Sequence, residues 1–327
     1  MMMEFSHELN ETVTTVNEII KNQLPPVDGL QSTVLEAMKY SVEAGGKRIR
    51  PMLMLKSYEL YIDIAGESRD RFMRPILHAC MGAMEMIHTF SLCHDDLPCM
   101  DGDKYRRGRE STWYKFGEAM GTLAGDALSL YAFEAVSEAY RKQLTSALSG
   151  ESDISATDIN SFSLSVVKAI NYLSSLSGVN GMLGGQVVDV EMTGHKLSNE
   201  QLMFIYRLKT GALLQASLMT GAILGGADDE DIARLSGIGE KIGVAFQIQD
   251  DILDETSTEE VLGKPIHSDD LNNKTTYVSI YGLSEAHKEV EKLSVQAIEE
   301  LKELKSVNED CKNFLISLTD MLINRKK

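Results

Sequence analysis

Apolar residues return at every third or fourth position along most of the chain. Leu77, Cys80, Met81, Met84, Ile87, His88, Ser91, Leu92 and Asp95 form one such series, and they share a face only if the segment is helical. No segment sustains the period-two alternation, closed by hairpin turn pairs, that marks a half-buried strand. The six prolines agree: Pro25, Pro26, Pro51, Pro75, Pro98 and Pro265 leave the long stretch between Pro98 and Pro265 free of the residue that most readily breaks helices. The pattern predicts an all-α chain. The least polar stretch, Gly211 to Ala227, is interrupted by Gln215, Ser217, Thr220 and several glycines. It falls short of the roughly 20 apolar residues that span a bilayer, and it reads as a buried helix rather than a membrane insertion. Gly237, Gly239 and Gly243, inside a helical pattern, read as points of close helix packing. The serine-rich Thr145 to Ser165 reads as an exposed loop with a frayed helix start, and Glu255 to Thr276 as a polar loop. No linker divides the chain, so residues 1–327 read as one domain.

Composition narrows the function. The chain holds 32 Lys and Arg against 49 Asp and Glu, a formal charge of −17, so a broad basic surface for nucleic acid is not expected and anions must be gripped locally. The four cysteines, Cys80, Cys93, Cys99 and Cys311, have neither metal-ligand spacing nor the density of a disulfide framework, which suits a reducing cytoplasm. The acidic first residues, with Glu4, Glu8 and Glu11, do not read as an export signal.

Two acidic clusters carry the candidate chemistry. Pro98 should end the first helix near Asp96, leaving Asp95 and Asp96 in its last turn and Asp101 in the following loop. Adjacent acids at a helix carboxyl end meet the negative pole of the helix, which a cation would offset. In the second cluster Asp250 and Asp254 lie one turn apart, with Asp251 beside them, and like charges at that spacing repel. Either cluster alone reads equally well as a solvated acidic face. Together, as all-carboxylate sets without His or Cys, they favour a hard cation such as Mg²⁺, completed by phosphate oxygens. Basic residues accompany them: Arg106, Arg107 and Arg109 after the first cluster, and Lys47, Arg48 and Arg50 in G-G-K-R-I-R-P, where a fork-shaped guanidinium matches a diphosphate.

The motifs G-G-K-R-I-R-P, E-M-I-H-T-F-S-L-C-H-D-D-L-P-C-M-D, Y-R-R-G-R, L-A-G-D-A-L, G-M-L-G-G-Q-V-V-D-V, L-K-T-G-A-L, F-Q-I-Q-D-D-I-L-D and L-G-K occur in order between about Glu36 and Tyr281. In these the sequence resembles the trans-prenyltransferase (polyprenyl diphosphate synthase) family, most of all the bacterial farnesyl diphosphate synthases. The resemblance implies a single helical bundle of the isoprenoid synthase type around a central apolar cavity, acting as a homodimer. It implies that isopentenyl diphosphate is joined to dimethylallyl or geranyl diphosphate with several Mg²⁺ ions bound alongside the allylic partner.

Carried over by position, Asp95, Asp101 and Asp250 would hold Mg²⁺, with Asp96, Asp251 and Asp254 as further ligands or behind them. Lys47, Arg50, His88 and Arg107 would grip isopentenyl diphosphate, and Arg106 the allylic diphosphate. Lys209, Thr210, Gln247, Lys264 and Lys274 would surround the allylic headgroup and the forming cation. By itself, His88 reads more readily as a satisfied core histidine than as a ligand-binding residue; the resemblance reverses that preference. Phe90, five positions before Asp95 and about 7.5 Å along the helix, with the small Ser91 beside it, would be the floor that limits the product to fifteen carbons; Met86, one turn deeper, could yield, which keeps geranylgeranyl diphosphate as the alternative. The apolar run from Leu123 to Val136 is the expected subunit interface.

Some positions depart from the family pattern. Arg109, Glu110, Ser111 and Trp113 stand where a small basic or polar residue, Pro, Thr and His are usual, and His267 stands where Gly is expected. A class I terpene synthase would carry a different second acidic motif and lack the grip at Lys47, Arg50 and His88, and a non-catalytic subunit would typically have lost one acidic motif.

Overall fold

The computed structural model describes residues 2–149, 154–256, 275–306 and 308–323. They form α1 (Met2–Asn22), α2 (Ser32–Val42), α3 (Ile49–Glu59), α4 (Ile62–Ala65), α5 (Glu67–Asp95), β1 (Tyr105–Arg106), β2 (Arg109–Glu110), α6 (Thr112–Phe116), α7 (Glu118–Leu148) and α8 (Ala156–Ser177). These are followed by α9 (Met182–Glu191), α10 (Asn199–Ile205), a π-helical turn (Tyr206–Gly211), α11 (Ala212–Gly225), α12 (Asp229–Thr256), α13 (Tyr277–Tyr281), α14 (Leu283–Lys302) and α15 (Glu309–Ile323). The all-α expectation holds; among the described residues the exception is the two-residue hairpin β1–β2. The chain packs as two compact units, Met1–Leu55 with Ala65–Ile170, and Lys56–Ile64 with Asn171–Lys327.

The first unit is built on α5. Glu67 and Asp70 lie in its first turn, where the helix dipole favours acids, and the chain leaves the helix at Asp96, ahead of Pro98. Pro75 lies inside the helix, where it cannot donate to the Arg71 carbonyl. By length and composition α5 could cross a bilayer. Its apolar face, from Phe72 through Ile87, is instead buried against α1, α2 and α7, so it is a core helix. Small residues let α7 come close: a Cβ on Gly121 would meet Trp113, and one on Gly125 would strike the His94 imidazole.

In the second unit every residue of α11 is buried, as expected for Gly211 to Ala227. Each large aliphatic side chain so enclosed contributes on the order of 1.5–3 kcal/mol. The helix stops at Gly226, which takes the left-handed conformation (φ 104°). Two of the three glycines expected at close crossings are such points. A Cβ on Gly239 would lie 2.7 Å from Gln215 Cα, and one on Gly243 would run into Gly211. Gly237 differs, since its added Cβ would meet only the ends of the Lys241 and Glu300 side chains.

The reading of Thr145 to Ser165 as an exposed loop with a frayed helix start is narrowed, because helix occupies both ends of the segment. α7 continues to Leu148 and α8 begins at Ala156, because Val166, Ala169 and Leu173 continue an apolar stripe into the core. Each serine disfavours helix by only about 0.5 kcal/mol, less than the roughly 1.5–3 kcal/mol from burying one large aliphatic side chain of the packed face.

Candidate functional site

The candidate residues of the first unit gather where α5 ends, beside the G-G-K-R loop and the β1–β2 hairpin. In the loop Gly45 (φ 83°), Gly46 (φ 130°) and Arg48 (φ 50°) take conformations that ordinary side chains avoid. The strain at Arg48 is met by a buried network: its guanidinium donates to Glu85 Oε1 at 2.5 Å, to Asn17 Oδ1 at 2.8 Å and to the Val42 carbonyl at 2.7 Å. Arg48 is therefore turned into the core and is not part of a diphosphate grip, which corrects its grouping with Lys47 and Arg50. Lys47 stays exposed.

Arg50 sits in the first turn of α3, and its Nε is buried with no hydrogen-bond partner. Burial pushes its guanidinium down to about 10; Arg107 adds to the shift and Glu85 opposes it. It still carries its charge at neutral pH, so a charged group with an unanswered donor is held in this corner. His88 is held well below its ordinary value by burial first and then by Arg50, Arg107, Arg106 and Arg48. A neutral imidazole among guanidinium groups avoids adding a further buried charge.

Arg107 and Gly108 form the two-residue turn of the hairpin, both with positive φ (54° and 77°), the geometry that matches the twist of paired strands. The turn lays Arg107 over the glycine loop. Its Nη1 donates to the Gly45 carbonyl, and a Cβ on Gly46 would lie 2.8 Å from the guanidinium carbon and displace it; the φ of 130° already favours glycine there. Arg106 is taken up by acids: it pairs with Asp96 Oδ1 at 2.5 Å and with Asp103 Oδ2 at 3.3 Å. Burial raises the Asp96 carboxyl above its usual range despite that partner.

The unusual residues of this region have definite tasks. The Trp113 indole donates to the Asp103 carbonyl at 2.9 Å and Ser111 Oγ to the same oxygen at 2.6 Å. The Glu110 carbonyl accepts from the Tyr40 hydroxyl at 2.9 Å. These bonds tie down the loop that carries Asp101 and Asp103. The Asp101 amide also folds back onto the Asp95 carbonyl at 2.9 Å.

Phe90 lies half-buried on α5, its ring edge-on to His94 at 5.9 Å, and His94 is in turn braced by the Thr122 carbonyl of α7 at 3.1 Å. Met86, one turn deeper, is fully buried. Ser91 is occupied by the His88 carbonyl. On the expected interface Leu123 and Leu130 are exposed, Leu130 at 74%, while Leu128 and Val136 belong to the core.

The second unit holds the other set. Asp250, Asp251 and Asp254 occupy the last turns of α12. Asp251 Oδ2 accepts from the Tyr206 hydroxyl at 2.5 Å and from the Tyr277 amide at 2.9 Å. Asp251 and Asp254 are buried. Asp251, like Asp96, thus has a carboxylate oxygen already engaged within the protein, Asp251 by a tyrosine and a backbone N–H and Asp96 by Arg106. Thr210 Oγ1 donates to Gln247 Oε1 at 3.0 Å, and Lys209 Nζ pairs with Asp189 Oδ2 at 2.5 Å. A cavity of about 130 Å³ is lined by Asp189, Lys209, Thr210, Gln247, Asp251 and Thr276 among others. Lys264, Lys274 and His267 lie outside the described residues.

Among the described residues no three acids converge closely enough to enclose a cation by themselves. The donors in both sets are carboxylate oxygens, the ligand type that fits Mg²⁺. Sequence reasoning assigned no role to Asp189 or Tyr206. Asp189 stands in a recognised motif, but its cation is on another helix, so no local signal connects the two.

The polyprenyl synthetase family profile matches residues 31–314. The chain is 38% identical to a geranylgeranyl diphosphate synthase of Cyanophora paradoxa over 97% of this chain and 95% of that protein. It is 39% identical to a farnesyl diphosphate synthase of Geobacillus stearothermophilus over 85% and 84%. Among solved structures, a geranyltransferase of Helicobacter pylori complexed with magnesium and isoprenyl diphosphate superposes with a TM-score of 0.78 at 29% identity, covering 98% of this chain and 97% of that one.

Proposed function

This chain belongs to the polyprenyl synthetase family, and from that premise we propose that it condenses isopentenyl diphosphate with dimethylallyl and then geranyl diphosphate, releasing farnesyl diphosphate. The observation that carries this reading is the corner in which the charged Lys47, Arg50 and Arg107 accompany the neutral His88. Its buried Arg50 Nε has no acceptor among the described residues, and a diphosphate oxygen would supply one.

Asp95, Asp101 and Asp250 would hold Mg²⁺, with Asp96, Asp251 and Asp254 supporting them; when bound, the ions stabilise negative charge on the departing diphosphate. Lys209 and Arg106 add fixed positive charge toward the same group, so the allylic C–O bond can break without a protein nucleophile. The Thr210 hydroxyl and Gln247 amide, already bonded to each other, present dipoles to the cationic carbon skeleton. Arg50, Lys47 and Arg107 orient isopentenyl diphosphate so that its double bond attacks the allylic carbon. One proton then leaves the new C–C linkage, and the released diphosphate takes it.

Phe90 supports fifteen carbons as the end point, because an aromatic ring five residues below Asp95 shortens the space for the tail. Geranylgeranyl diphosphate is the second reading, supported by the flexible, fully buried Met86 one turn deeper. We further propose a homodimer through the exposed side of α7 at Leu123 and Leu130.

The test is incubation of the purified protein with both five-carbon diphosphates and Mg²⁺, followed by product identification. Farnesyl diphosphate is expected, with activity lost reversibly on chelation and nearly abolished in a folded Asp250→Asn variant. No condensation in the presence of Mg²⁺ would overturn the reading.

A further inference from the structure

Among the described residues of the second unit, Lys209 is the cation assigned to the allylic diphosphate, and its stem of four methylenes allows its charge many positions. Three features remove that freedom. It sits in the π-helical turn Tyr206–Gly211, an irregularity that resets the direction of a side chain and recurs at functional sites. The turn is pressed backbone to backbone on α9, because a Cβ on Gly185 would collide with the Lys209 amide nitrogen. One turn further along the same face of α9, at the i, i+4 spacing, stands Asp189, whose carboxylate meets the Lys209 ammonium at 2.5 Å.

This pair is poorly explained as a device for stability. Both side chains are partly exposed, at 32% and 25%, and such pairs contribute little. Asp189 also lies in the last turn of α9, where the helix dipole disfavours an acid. The pair does line the cavity that also receives Thr210, Gln247 and Asp251.

We propose that Asp189 is a positioning residue for the transfer reaction: it fixes the Lys209 ammonium at the cavity wall, oriented to meet the diphosphate of the allylic substrate. Gly185 is the companion that makes the approach possible. This inference rests on the prenyl transfer reading above. The work of Asp189 is done through Lys209, so the two substitutions should not be independent.

Steady-state kinetics of wild type, Asp189→Asn, Asp189→Glu, Lys209→Ala and the Asp189→Asn/Lys209→Ala double variant test it. Asp189→Asn should raise the apparent KM for geranyl diphosphate by roughly ten-fold, the size of one lost charged hydrogen bond, and leave that for isopentenyl diphosphate near wild type. Asp189→Glu, which keeps the charge, should recover most of the loss. Adding Asp189→Asn to Lys209→Ala should change nothing further. Multiplicative effects in the double variant, equal KM changes for both substrates, or an Asp189→Asn enzyme like wild type would each overturn the proposal. A destabilising but otherwise idle Asp189→Asn would appear as a lowered Tm with unchanged KM, and would also overturn it. Wild-type turnover in the same assay reports separately on the transfer reaction itself.

Discussion

Arg48 and Glu85 form an ion pair at 2.5 Å whose side chains are 4% and 3% exposed, and the arginine makes it from a backbone conformation with φ 50°. A buried pair is stable only while both charges are present, since either alone is an uncompensated charge in the core. Arg48→Met should therefore cost about 3–5 kcal/mol in urea unfolding. Replacing both together, as Arg48→Met/Glu85→Leu, should cost less than the single change. A loss under 1 kcal/mol in Arg48→Met would contradict the structural role assigned to the pair.

His88 makes stability depend on pH. Its value in the folded chain lies well below the 6.5 of a free imidazole, so just below pH 6.5 the unfolded chain binds a proton that the native one does not. The stabilisation linked to its neutrality is present above that pH and is lost as pH falls toward the depressed folded value. Urea midpoints between pH 7.5 and 5.5 should fall for wild type and fall less for His88→Gln. Identical slopes for the two proteins would remove this account.

In the proposed reading Arg50 and the glycine loop would serve isopentenyl diphosphate rather than the allylic substrate. Arg50→Ala should raise the apparent KM for isopentenyl diphosphate by ten-fold or more, on the order of one charge-assisted bond, and should affect the allylic substrate less. Equal effects on both would argue that Arg50 does not belong to the isopentenyl site.

Phe90→Ala tests the floor. Removing the ring should shift the product from fifteen toward twenty carbons, read by chromatography of the dephosphorylated alcohols, with condensation otherwise intact. Because Phe90 rests on His94, which is held by α7, a structural collapse would show as a lowered Tm and is distinguishable from a length change. A fifteen-carbon product formed at the wild-type rate would clear Phe90 of the role.

Much of this protein is legible in one dimension because its signals are local. Helical periodicity, the proline-free stretch and Pro98 after Asp96 define the all-α architecture and the end of α5, since helix formation and termination depend on residues within one or two turns. The acidic clusters at Asp95 to Asp101 and Asp250 to Asp254 stand out for the same reason, as does the buried α11.

What only the tertiary structure decided is which of several similar residues faces which way. Lys47, Arg48 and Arg50 are nearly equivalent as letters, yet Arg48 turns inward because Glu85 and Asn17 come from helices far along the chain. Asp251 is engaged by Tyr206 and Tyr277, Arg106 by Asp96, and Lys209 by Asp189. The left-handed Arg107 and the π-helical turn carry no compositional mark, because each is a strained or irregular backbone held by packing around it. A helix is specified by its own neighbours; the aim of a charged side chain is specified by whatever the fold places opposite it.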